Sequence, residues 1–123
     1  MTAQEYIFLL SLMETIINKF SKCLTGIEYP KEKSSWNIAG ILKDRNAFYK
    51  FDVRNMFKLP DGTHAQKGRT DTKADKMVLE FKDQWVILDI EELLSYIRKH
   101  KVKKVYVNDL ISDLEWTIFL AKN

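Results

Sequence analysis

The sequence predicts an α+β domain: an N-terminal amphipathic helix, a mostly antiparallel sheet of about five strands, and one or two C-terminal helices. Three observations carry this. Apolar residues recur at alternating steps of four and three near the start, from Tyr6 to Leu24, which is the period of one helix face. Runs with a period of two follow, joined within each pair by breaks too short for a crossover. A second helical pattern then opens on a capping signal at Asp89. At 123 residues the chain is sized for a single domain, 1–123. One cysteine, Cys23, excludes an internal disulfide framework.

Taken in order, Thr2-x-x-Glu5 is a capping box, in which hydroxyl and carboxylate each satisfy an orphan N–H at a helix start. Tyr6, Leu10, Met13, Ile17, Phe20 and Leu24 form the stripe behind it, and Gly26 supplies the stop. Phe8, Leu9, Leu12 and Ile16 widen the stripe, so either the rest of the chain wraps this helix or a second copy covers it as a homodimer. Residues 28–35 read as a polar linker. Trp36–Lys43 and Ala47–Met56 then read as a hairpin around Asp44-Arg45-Asn46. Residues 58–76 form a long polar loop with a turn signal at Pro60-Asp61-Gly62 and no bulky apolar residue between Leu59 and Met77.

Met77–Phe81 and Trp85–Leu88 read as two short strands. Asp89-x-x-Glu92 is a second capping box, opening a helix with Ile90, Leu93, Leu94 and Ile97 on its buried face. Lys103–Val107 returns as a strand. Two patterns fit the end of the chain: a helix capped by Asn108 or Asp109, or a turn followed by a strand over Trp116–Ala121. Early acids and a late Lys122 favour the helix. The start lacks a basic segment before its short apolar run, so a cytoplasmic protein without a signal or membrane segment is expected.

The net charge of +3 is unevenly placed. Residues 97–104 carry Arg98, Lys99, Lys101, Lys103 and Lys104 and no acid; without them the chain sums to −2. The polar loop adds Lys58, Lys67, Arg69, Lys73 and Lys76. Tyr96, His100 and Tyr106 stand near the first group. Cations beside aromatics hold phosphates and stack on bases. Lysine is a point charge, and only four of the 20 basic residues are arginines, so diffuse attraction fits better than base reading. A helix C-terminus attracts lysines by its dipole alone, which is the plain structural explanation of the same cluster.

Catalytic chemistry finds less support. His64, His100 and Cys23 lack metal-ligand spacing. No glycine-rich phosphate loop or other cofactor motif is present. Asp71 precedes Glu80-Phe81-Lys82, and Glu14 on the first helix adds a carboxylate. This set resembles nucleases of the restriction-endonuclease type, which use an Asp and a Glu-x-Lys on adjacent strands. The resemblance implies a divalent metal activating water for phosphodiester cleavage, and the order helix, strands, helix, strand resembles that fold. Glu-x-Lys also arises on the polar face of any amphipathic strand as a solvated pair.

The expectation is a small non-enzymatic protein that binds an anionic partner: a nucleic acid, a phosphorylated nucleotide or an acidic protein surface. Phage- or plasmid-type accessory and inhibitor proteins are of this size and composition. The expected binding residues are Lys67, Arg69, Lys73, Arg98, Lys99, Lys101, Lys103 and Lys104. The alternatives are the metal-dependent nuclease using Asp71, Glu80 and Lys82, and a pure protein-interaction module.

Overall fold

The computed structural model describes residues 14–32, 35–43, 45–55, 57–58, 64–67, 73–101, 104–106 and 112–122, with backbone alone for 55, 57–58, 64–67 and 104–106. The fold is α+β, as expected. Helix α1 covers 14–21 of the described residues. The strands are β1 (Leu24–Glu28), β2 (Ile38–Leu42), β3 (Ala47–Asn55), β4 (Phe57–Lys58), β5 (His64–Lys67), β6 (Lys76–Glu80) and β7 (Gln84–Asp89). Helix α2 (Ile90–His100) follows, then β8 (Lys104–Tyr106) and β9 (Thr117–Ala121). One six-stranded sheet has the order β1-β2-β3-β6-β7-β9, and β4-β5-β8 form a second sheet. All pairs are antiparallel except β3 with β6.

The two helices lie against opposite faces of the larger sheet. Ile16 and Phe20 of α1 pack with Phe51, Val53, Val78, Trp85 and Ile87, while Ile90 and Leu93 of α2 pack with Met77, Leu79, Val86 and Leu88. Covering on both faces explains why β6 and β7 read as near-continuous apolar runs rather than alternating ones. Phe20 is fully buried and Ile17 packs beside it, so these two belong to the chain's own core. Tyr6, Leu10 and Met13, the rest of the expected dimer stripe, lie outside the described residues, as does the Thr2-x-x-Glu5 box.

The expected hairpin is present, with Ile38 opposite Phe51 and Leu42 opposite Ala47. Its turn holds Asn46 at φ 52, a conformation asparagine tolerates better than most residues. Asn37 extends the pairing beyond β2: its Oδ1 accepts from Val53 N at 2.7 Å. On the other face of β3, the carboxylate of Asp52 is buried and paired with Arg54 at 2.8 Å. That face is therefore covered at its Asp52 end, while Phe48 and Lys50 on the same face stay exposed.

Three expectations are corrected. The first helix does not run to Gly26; it ends at residue 21. Leu24 instead begins β1, where Gly26 takes φ +60 inside a shift of register between Thr25 and Glu28, the bulge geometry glycine permits. Thr117–Ala121 form a strand rather than a helix, because Ile118 is buried in the α1-side core and β9 pairs with Gln84–Leu88 of β7. Pairing with a neighbour outweighs the dipole preference that favoured a helix. Finally, the polar loop is not featureless: β5 lies within it.

Candidate functional site

Helix α2 builds the first part of the basic surface. Asp89 caps it, accepting from Glu92 N at 3.1 Å. The second half of the expected capping box is absent, because Glu92 Oε2 accepts from Trp116 N at 3.0 Å. Burial of Ile90 and Leu93 turns Glu91, Ser95, Arg98 and Lys99 to solvent. Arg98 donates to Ser95 Oγ at 3.3 Å, and the rings of Tyr96 and His100 lie 4.3 Å apart. Arg98, Lys99 and Lys101 join none of the ion pairs found among the described residues. The patch has an acidic border: a cavity of about 790 Å³ runs beside α2, with Lys99 and His100 at one end and Glu91, Asp113 and Glu115 along it.

Acids in the first turn and Arg98, Lys99 and His100 in the last are what the helix dipole favours. Two features are not. Lys101 ends the helix at φ 52, ψ 41, a left-handed position where glycine is the usual occupant. In addition, the chain leaves α2 into β8, and β8 pairs with β5 so that Lys104 faces Lys67 in register. The two basic segments that are separate in sequence thus share one antiparallel ladder. Lys101→Gly is expected to raise stability by about 1 kcal/mol, since a side chain in that conformation is disfavoured by about 1–2 kcal/mol; a shift of the urea midpoint checks it.

The remaining expected residues divide. Lys73 is exposed, but its backbone N donates to Ser35 Oγ at 2.6 Å, and it stands three residues before Lys76, the register partner of the α2 cap Asp89. It therefore lies toward the start of α2, whose eleven residues span about 16 Å, and not at its basic end. Arg69 and Lys103 lie outside the described residues.

The nuclease set is not assembled by the described residues. Glu80 closes β6 with its carboxylate bound to Lys122 Nζ at 2.9 Å. Lys82 stands exposed in the β6–β7 turn, not beside Glu80 on a strand face. Asp71 lies outside the described residues. Among those described, no three His, Cys, Asp or Glu residues are grouped to hold a metal ion. Cys23 follows α1 half-buried, rather than lying on the helix. His64 belongs to β5.

Sequence reading missed a buried lysine. Lys76 Nζ bonds Asp89 Oδ1 at 2.7 Å and sits 3.7 Å from the Trp116 ring centre and 4.8 Å from that of Tyr49. Its neighbours come from β3, β7 and the segment before β9, so no local pattern announces it. Lysine in a polar stretch reads as solvated unless its strand partners are known.

No family model and no curated protein matches the chain. Among solved structures, it is similar to a bacterial homing endonuclease, I-Ssp6803I, with a TM-score of 0.53 over 85% of this chain and 78% of that one. Identity is 11%, so the likeness is one of fold. No described helix is long and apolar enough to cross a membrane.

Proposed function

We propose that this chain binds the phosphate backbone of a nucleic acid without cleaving it, through Lys67, Arg69, Arg98, Lys99, Lys101, Lys103 and Lys104. The observation that carries the reading is the β5–β8 ladder, which sets Lys67 opposite Lys104. Pairing of β5 with β8 brings together two segments of the chain that are each rich in basic residues, as a polyanion-binding surface requires. In sequence, Arg69 follows two residues after Lys67, and Lys103 directly precedes Lys104. Lysines of this kind attract phosphates without reading bases. The fold likeness to a homing endonuclease also supports a nucleic-acid partner.

Replacing Lys99, Lys101, Lys103 and Lys104 together with Glu tests the reading. Retention of duplex DNA is expected to weaken by at least about a hundredfold, because counterion-releasing contacts are lost and repulsion is added. The far-ultraviolet circular dichroism is expected to stay unchanged. Equal retention by the variant and the wild type would sink the proposal.

The same fold likeness favours a second reading, a metal-dependent nuclease using Asp71, Glu80 and Lys82. The described residues do not fit a divalent-metal site. Plasmid incubated with Mg²⁺ or Mn²⁺ separates the readings: the binding protein leaves it intact. Nicking that disappears in Lys82→Ala would favour the nuclease instead.

A further inference from the structure

A second group of basic residues includes none of those in the β5–β8 ladder. Lys19 and Lys22 at the end of α1, Lys82 in the β6–β7 turn and Lys122 after β9 line one cavity of about 560 Å³, together with Cys23 and Trp85. These lysines come from three separate segments, and no acidic residue lines the cavity. Lys122 is held in place: its Nζ bonds Glu80 at 2.9 Å and sits 4.5 Å from the Trp85 ring centre, while its backbone N donates to Asp83 O at 3.0 Å.

Helix-end electrostatics accounts for only part of the group: it favours Lys19 and Lys22 at the end of α1, beside which Lys43 Nζ donates to the Lys22 carbonyl at 2.8 Å. It says nothing of Lys82 or Lys122. Even with Glu80 counted against Lys122, the four ammonium groups leave an excess of three positive charges around one volume. A concave, single-sign site of this kind focuses field and concentrates counter-charge.

We infer that the cavity formed by Lys19, Lys22, Lys82 and Lys122 binds an oligophosphate group, either free inorganic oligophosphate or the phosphate tail of a nucleotide. Its volume falls in the range of small-molecule sites, about 300–1,000 Å³. A duplex is too wide to enter it. Point charges without a bidentate fork select charge density over shape, which suits adjacent phosphoryl groups. Trp85 is 3% exposed, so it walls the site without offering a face for a base to stack on.

The test is calorimetric titration of the full chain with inorganic tripolyphosphate. Single-site binding is expected, and Lys19→Glu with Lys82→Glu is expected to weaken it by about tenfold or more through the two reversed charges. Both positions are exposed, so the fold tolerates the change. Lys31→Glu with Lys50→Glu, both exposed and outside the cavity lining, is expected to leave the affinity within about threefold because solvent screens those charges. Absence of binding, or an equal loss from both pairs, would overturn the inference. Tighter binding of tripolyphosphate than of a nucleoside triphosphate assigns free oligophosphate, and tighter nucleotide binding assigns the nucleotide tail. Duplex retention by the Lys19/Lys82 variant separates this site from the ladder.

Discussion

Asp89→Ala is expected to destabilise the protein by about 3–5 kcal/mol, the range for stranding one member of a buried ion pair. The carboxylate has two tasks. One oxygen caps α2 through Glu92 N, and the other holds Lys76 at 2.7 Å. Lys76 is 7% exposed, and its other neighbours are the rings of Trp116 and Tyr49. Those rings lower the cost of burying an ammonium but do not accept its hydrogen bonds. The lost cap adds about 1 kcal/mol. Urea unfolding followed by circular dichroism reads the loss. Asp89→Ser with Lys76→Met is expected to recover most of it, because serine keeps the cap and the buried charge is gone. A double variant as unstable as Asp89→Ala would show that the pair is not the source.

Phe20→Ala is expected to cost about 3–5 kcal/mol, as for other buried phenylalanines. Phe20 has no exposed surface, and its ring meets Phe51 at 5.1 Å and Trp85 at 5.3 Å, both edge-on. The truncation leaves a cavity where α1 meets the sheet. Phe20 also stands between Lys19 and Lys22, so its anchoring sets where those lysines lie. Equilibrium unfolding should therefore shift to lower urea, and tripolyphosphate binding should weaken in the variant while it is still folded. A loss below about 1 kcal/mol would mean that α1 is not docked through this residue.

The elements legible in the sequence are those whose signals are local. Asp89 at the head of α2, the Asp44-Arg45-Asn46 break of the hairpin and the apolar runs of β6 and β7 each announce themselves within a few residues. The misread segments are those settled by distant partners. Leu24 fits the end of a helical stripe and equally the start of β1; pairing with Leu42 across β2 decides it. The alternation of Trp116–Ala121 competes with a helical pattern until β7 is available to pair. The parallel β3–β6 contact has no local signature either.

The same division applies to the sites. A run of basic residues is visible in sequence, but its ladder with β5 is not, because strand register between remote segments is not written in charge. The cavity lysines lie at positions 19, 22, 82 and 122. They become a group only when α1, the β6–β7 turn and the end of β9 meet.

Nucleic-acid binding is tested most directly by the affinity of the full chain for duplex DNA across a series of monovalent salt concentrations. A backbone-binding surface built on the β5–β8 ladder predicts that log K falls linearly with log salt, by about 0.9 for each phosphate neutralised, giving a slope near −4 to −6 for this cluster. The Lys99, Lys101, Lys103 and Lys104 variant should lose most of that slope. Undetectable binding at low salt, or a slope unchanged by those four substitutions, would contradict it.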